Sequence, residues 1–193
     1  MRAFWFGELD AEGRASAEKA ELWWRKDAAF DRSIVERFGA LHAELHAGKG
    51  REWRRAPRSL LAYVLVLDQF SRNMFRGTAD MFASDELALS TAFEGIALGF
   101  DRRLVCDERV FLYMPLMHSE RIEVQERCVE LFRELAAELT GASKKSVLGN
   151  LDFAERHRDI VLRFGRFPHR NAVLGRPSTP EEIAFLTEPN SSF

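Results

Sequence analysis

Residues 57–77 read PRSLLAYVLVLDQFSRNMFRG, and the structure that this stretch adopts decides the fold. By periodicity alone, the apolar run Leu60–Leu67 is compatible with either a buried strand or a buried helix. The sequence continues through Asp68, Gln69 and Phe70 without a turn signal, and this length favours a helix. We therefore predict a helix here, the most buried one of the protein.

The polar residues of this helix are expected to meet each other. Asp68 and Arg72 would lie one turn apart, on the same face as the core-facing residues Leu61, Val64 and Leu65. A carboxylate and a guanidinium group on a buried face are expected to pair, because an unpaired charge in the core is strongly destabilising.

Apolar stripes and helix-end signals predict that the rest of the chain is also helical. Ser119 is expected to cap one long helix that ends at Gly141, and Pro115 is expected to stop the helix before it. The predicted helices are a short one at Phe4–Phe6, then Ser16 to about Lys26, Asp27 to Gly48, Pro57 or Ser59 onwards, Thr78 or Ser84 to Gly99, Asp107 to Met114, Ser119 to Gly141, Ser143 to Phe164, and a last one from Thr179 and Pro180. No stretch predicts a strand, so the chain is predicted to be all-α, one helical domain spanning residues 1–193.

Composition narrows the classes of protein to which the chain can belong. A hydrophobic fraction of 46% is ample for a core, and a net charge of −2 offers no general attraction to nucleic acid. The run Leu60–Leu67 is too short to cross a bilayer, and the first residues do not resemble a signal peptide. Cys106 and Cys128 stand singly, which is typical of reduced, packed thiols. We expect a cytoplasmic protein that binds neither nucleic acid nor a membrane.

Two distant segments, 68–77 and 164–176, carry the same polar pattern: an Arg-Asn pair followed closely by Gly and a further Arg. We predict that these segments meet and form one polar site, to which residues near His118 and His157 also contribute. The candidate residues are Asp68, Gln69, Arg72, Asn73, His118, Glu120, Gln125, His157, Arg166, His169, Arg170 and Asn171.

The residue types at this site suit an anionic ligand. Arg72, Arg166 and Arg170 could bind a carboxylate or phosphate through their forked donors. His118, His157 or His169 could act as acid or base, because imidazole titrates near neutrality. Asp68, Gln69, Asn73 and Asn171 would orient the ligand or the arginines.

Structural roles are open for the same side chains. His157 lies on an apolar stripe and is more often a core histidine bonded to a neighbouring carbonyl or carboxylate. The arginines could form ion pairs between helices, and Arg166 could offset a helix dipole. His42 and His46 are one turn apart but lack the further ligand of a zinc signature, and no nucleotide-binding or nucleophile motif occurs, so we expect neither metal nor cofactor.

Several long motifs resemble those of the bacterial family called domain of unknown function 924. They are Phe4–Gly7, Phe30-Asp31, Leu67–Asn73, Phe111–Glu120, His157, Phe164–Asn171 and Ser178–Glu182. The resemblance covers nearly the whole chain. It implies stacked antiparallel helix pairs in a tetratricopeptide-like superhelical or bundle arrangement, and it implies no activity.

Three hypotheses for the function follow from the sequence. The first is an Arg/His/Asn-lined pocket for a small anionic ligand, with or without catalysis. The second is a helical-repeat module that binds a protein or an acidic peptide. In the third, the Arg-Asn segments are purely structural and fix helix ends through buried hydrogen bonds. Whether the protein is an enzyme stays open.

Overall fold

The computed structural model describes residues 1–192. It has α1 (Arg2–Phe6), α2 (Ala17–Trp24), α3 (Ala28–His46), α4 (Pro57–Leu65), α5 (Ser71–Met74), α6 (Asp85–Ala97), α7 (Cys106–Met117), α8 (Ile122–Glu138), α9 (Gly141–Phe164) and α10 (Pro180–Phe185). Short 3₁₀ turns cover Arg51–Arg55, Ala79–Phe82, Asp101–Arg103 and Pro168–Arg170. There is no strand within residues 1–192, and the predicted all-α fold is confirmed.

The decisive stretch forms α4 and α5, joined by one π-helical turn over Val66–Phe70. Every residue of the π turn is buried, and the backbone stays right-handed helical through Ser71. Two side chains engage carbonyls in this region: Ser71 Oγ donates to Leu67 O at 2.7 Å, and Arg72 Nη1 donates to Asp68 O at 3.0 Å. Such bonds to the i−4 carbonyl compete with the regular helical ladder, which gives a local reason for the π turn.

The other helices pack around this continuous segment of α4, the π turn and α5. Helices α6 and α7 lie against α4, while α3 lies against the π turn and α5. Helices α8 and α9 form an antiparallel hairpin, in which Ile122 packs beside Val161, and this hairpin packs on α7. In α7 all 12 residues are buried, so α7, rather than the helix that begins at Pro57, is buried on every side.

Three predicted helix boundaries are wrong. Helix α7 continues through Pro115 to Met117, because Pro115 lies in its last turn and the bond from His118 N to Met114 O (3.1 Å) still closes the helix. Helix α8 begins at Ile122, since Ser119 Oγ accepts from Arg121 N (3.2 Å) in a preceding turn. Gly141 begins α9 and does not end α8.

A small second core anchors the C-terminal segment. Ile160 and Val161 of α9 pack with Phe167 and with Phe185 of α10, apart from the main cluster of buried residues. This contact holds the connection 165–179 against the start of α8 and thereby positions the second Arg-Asn segment.

Within residues 1–192, no helix is long and apolar enough to cross a membrane. Cys106 and Cys128 are both buried and unbridged, as the sequence predicts.

Candidate functional site

The second Arg-Asn segment is a tight connection that turns one arginine inward. Gly165 ends α9 in the left-handed conformation (φ 68°), where a residue without Cβ is favoured. Phe167 is fully buried, and Pro168 then opens the 3₁₀ turn that contains Arg170. As a result the side chain of Arg170 is 8% exposed.

The arginines of the two Arg-Asn pairs, Arg72 and Arg170, meet at Asp85, the first residue of α6. Arg72 binds the Asp85 carboxylate with both terminal nitrogens, at 3.0 and 3.1 Å. Nη1 of Arg170 lies 3.6 Å from Oδ2 of the same carboxylate. Sequence reasoning missed Asp85, although Ser84-Asp85 carries the signal of a helix start, because an acid there is usually explained by the helix dipole alone.

A carboxylate–imidazole pair lies beside these arginines. Asp68, in the π turn, is fully buried and accepts a hydrogen bond from His118 Nδ1 at 2.7 Å. Arg72 Nη1 is 3.0 Å away, and Gln69 Nε2 donates to the other carboxylate oxygen at 2.6 Å. Burial acts to raise the pKa of Asp68, but Arg72 and His118 outweigh it and lower the pKa to about 2. Asp68 is therefore ionised at neutral pH.

His118 is the neutral partner of that carboxylate. Burial, together with Arg72, lowers the pKa of His118 below its usual value, and Asp68 opposes this only in part. Because an ionised carboxylate can only accept, Nδ1 of the imidazole must carry the proton. Nε2 then keeps its lone pair. The side chain of His118 is 15% exposed.

Arg170 is held between two aromatic rings. Its guanidinium carbon lies 4.6 Å from the ring centroids of both Phe82 and Phe167, and Nη2 donates to His118 O at 2.9 Å. Burial and Arg72 lower the pKa of Arg170 to about 10. We call Asp68, Arg72, Asp85, His118 and Arg170 the Asp85 cluster.

The remaining parts of both Arg-Asn segments pair with separate acids. Asn73 and Arg76 both donate to Asp31, at 2.7 to 3.0 Å. In the second segment, Arg176 binds Glu120 with both terminal nitrogens, at 2.6 and 2.9 Å. These residues tie the segments to α3 and to the start of α8, away from Asp85.

Other polar side chains of the connection between α9 and α10 bind Glu182 of α10. Arg166 binds it with two nitrogens, at 2.6 and 2.8 Å, and Asn171 Nδ2 donates to it at 3.3 Å. Glu182 also completes the capping box of α10 with Thr179. Arg166 and Asn171, two of the sequence-predicted candidates, therefore lie outside the Asp85 cluster and support the fold.

Three more candidates lie outside the Asp85 cluster. Gln125 Nε2 donates to Met117 O and Ser119 O, both at 2.6 Å, which fixes the connection from α7 to α8. His157 Nδ1 bonds to Phe153 O at 2.7 Å, and burial lowers its pKa to about 3. Burial and Arg170 lower the pKa of His169 to about 4. Both imidazoles are neutral at pH 7.

Two surface grooves lie elsewhere. One of about 410 Å³ is lined by Glu120, Ile122, Val161 and Leu162 among others, and one of about 340 Å³ lies near Trp53. Neither is lined by residues of the Asp85 cluster, which reaches solvent at the partly exposed edges of Arg72, Asp85 and His118. Within residues 1–192, no three His, Cys, Asp or Glu side chains gather as ligands for a metal ion.

The fold and the cluster define a class: an all-helical protein with a buried Arg/His/Asp network between two of its connections. The chain belongs to the family described as "Bacterial protein of unknown function (DUF924)", whose model matches residues 1–190. A solved structure, "Structure of Protein of Unknown Function ATU0120 from Agrobacterium tumefaciens", is 44% identical, covers 88% of this chain and 92% of that one, and superposes with a TM-score of 0.77. A comparison with curated proteins found no match.

Proposed function

We propose that the Asp85 cluster binds a small anionic ligand, and that the neutral imidazole of His118 accepts a proton from it. The observation that carries this proposal is Arg170. Its side chain is more than nine-tenths buried, yet its Nε has no hydrogen-bond acceptor within residues 1–192 and its Nη1 is 3.6 Å from the nearest carboxylate. A buried donor without an acceptor costs free energy, and an anion at this point would supply the acceptor.

The Asp68–His118 pair adds chemistry to this binding site. A buried carboxylate that accepts from Nδ1 fixes the tautomer and leaves Nε2 as a base. Arg72 and Arg170 would stabilise negative charge that develops on the ligand after proton transfer. The π turn that carries Asp68 is a further feature that is frequent at functional sites.

The interaction-module hypothesis has less support. The groove beside α8 and α9 contains the exposed side chain of Leu162. Its charged lining residues are Glu120, Arg121 and Glu123, which give no net positive charge to attract an acidic peptide. We also propose that the protein is cytoplasmic, because two buried, unbridged thiols are typical of a reducing compartment.

The test is ligand binding by variants inside and outside the cluster. We expect that a panel of small carboxylates and phosphate esters contains compounds that raise the melting temperature of the wild type. Arg170→Gln should lose this increase, and Arg166→Gln, whose guanidinium pairs with Glu182, should keep it. His118→Asn should fold, because its amide nitrogen can still donate to Asp68, and should weaken binding.

Two results would contradict the proposal. One is that no member of the panel stabilises either the wild type or a variant in which Asp85 is replaced. The other is that Arg166→Gln and Arg170→Gln lose the response equally. A large loss of stability in Arg170→Gln, on the order of 3–5 kcal/mol, without any ligand effect would favour the purely structural role.

A further inference from the structure

We propose that Asp85 occupies the position that a ligand's carboxylate takes, so that the protein's own side chain closes the site and the site selects monocarboxylates. This inference rests on the proposed function and adds to it the class of ligand and a competing internal group.

Asp85 already binds Arg72 in the way that a ligand's carboxylate would. Asp85 lies in the fork of Arg72, with each carboxylate oxygen facing one terminal nitrogen at 3.0 and 3.1 Å. This is the bidentate arrangement by which arginine binds the carboxylate of a ligand. Arg170 approaches the same carboxylate from the connection between α9 and α10, 98 residues from Arg72 in sequence, but stays at 3.6 Å. Asp85 therefore satisfies Arg72 well and Arg170 poorly.

The side chain of Asp85 can move towards solvent when another carboxylate takes its place. Asp85 is the first residue of α6, and its side chain is 20% exposed. A carboxylate at this position interacts favourably with the helix N-terminus whether or not it binds an arginine. Because Ser84 is buried and bonded to His46 at 2.8 Å, the backbone can stay in place while the side chain of Asp85 turns towards solvent.

The charges of the Asp85 cluster favour a ligand with a single negative charge. Arg72 and Arg170 carry two positive charges, Asp68 and Asp85 carry two negative charges, and His118 is neutral. A monocarboxylate that replaces the side chain of Asp85 keeps this balance. A phosphate dianion would add a further negative charge next to the buried carboxylate of Asp68, which costs free energy at low local dielectric.

Phe82, which covers the guanidinium group of Arg170, lies on the same segment as Asp85. Phe82, in the 3₁₀ turn just before α6, stacks on the guanidinium group of Arg170 at 4.6 Å and lies 5.9 Å from that of Arg72. Residues 77–80 of this segment are exposed. A ligand carboxylate would thus enter at the edge where Asp85 now lies, beneath Phe82 and next to His118.

Chemical rescue tests this inference. Asp85→Ala leaves Arg72 without its bidentate partner, so the melting temperature should fall in sodium chloride. Sodium formate or acetate at matched ionic strength should restore it in this variant and change the wild type much less. Phosphate should restore it less than acetate does. Glu86→Ala, which removes the neighbouring exposed carboxylate, should show no rescue.

Competition gives a second readout that does not depend on rescue of a destabilised fold. Asp85→Asn keeps the size of the side chain and one acceptor oxygen but weakens the bond to Arg72. Its affinity for acetate should exceed that of the wild type by about tenfold or more, as expected when a state that blocks binding loses its population. Adding Arg170→Gln to this variant should abolish the gain.

The outcomes separate this inference from the proposed function. If acetate binds the wild type through Arg170 and binds Asp85→Asn no more tightly, the proposed function stands and the role of Asp85 is refuted. If neither the wild type nor either Asp85 variant binds any tested anion, both are refuted. Rescue of Glu86→Ala to the same extent as Asp85→Ala would also refute the inference, because it would be a general salt effect.

Discussion

At the residue scale, the arginines of the two Arg-Asn segments bind different partners. The arginines of the Arg-Asn pairs, Arg72 and Arg170, turn inward to Asp85, whereas Arg76 and Arg176 bind the separate acids Asp31 and Glu120. The sequence identified the arginines but not these acids, apart from Glu120. Carboxylates are frequent on helix surfaces and at helix starts, so nothing local distinguishes the few that bind a distant guanidinium group.

The buried histidines predict a dependence of stability on pH. The folded-state pKa of His157 is about 3, below its usual value of 6.5, because the imidazole is buried. Between these values the unfolded chain binds a proton that the folded protein does not, so stability is lost as the pH falls below about 6.5. One such group contributes at most about 1.4 kcal/mol per pH unit.

We expect His157→Gln to reduce this loss. The difference in the free energy of unfolding between wild type and variant, measured with urea at pH 7, 6, 5 and 4.5, should shrink by about 2–3 kcal/mol over that range. Effects of carboxylates cancel in the difference. Parallel curves for the two proteins would show that His157 is not the group that titrates.

At the element scale, tertiary packing determined the helix boundaries that local sequence signals predicted wrongly. Pro115 and Ser119 are ordinary signals for a helix end and a helix start, yet α7 continues past Pro115 and α8 begins only at Ile122. The whole of α7 is buried, and contacts along all its sides outweigh the one backbone bond that proline cannot donate. The apolar stripes themselves predicted the helices correctly, because they record which face is buried.

Glycines in three helices allow a prediction about stability with matched control variants. A Cβ on Gly95 of α6 would lie 2.8 Å from Leu60 Cδ2, whereas a Cβ on Gly39 or Gly149 would have no atom within 4 Å. We expect Gly95→Ala to destabilise the protein by about 1–3 kcal/mol through overpacking against α4. Gly39→Ala and Gly149→Ala should stabilise it by about 0.5–1 kcal/mol through helix propensity. Urea unfolding measures all three, and a stabilised Gly95→Ala would contradict the close contact between α6 and α4.

At the scale of the whole molecule, the two thiols report on the integrity of the core. Cys128 is fully buried in the main core, and Cys106 is 5% exposed at the start of α7. Burial, reinforced by Asp107, raises the pKa of Cys106 to about 11, and burial raises that of Cys128 further. A thiol reacts as its thiolate, so both groups should be inert in the native protein.

We expect a chromogenic disulfide reagent to label neither thiol rapidly at pH 8, and to label both in denaturant. In Cys106→Ala, the rate of labelling of Cys128 should rise with urea in parallel with global unfolding, because only a large opening exposes that side chain. Rapid labelling of Cys128 without denaturant would mean that α7 and α8 separate in the native protein.

The sequence alone determined that the chain is all-α, where most helices lie, and which polar residue types gather in two similar segments. These properties are local, since helical periodicity and side-chain chemistry can be read within a few turns. Only the tertiary structure decided which partners those residues have. His118 binds Asp68 across 50 residues, Arg170 binds His118 across 52, and both segments meet at Asp85. Such pairings depend on how helices stack, because burial leaves each charge only the partners that packing brings within reach.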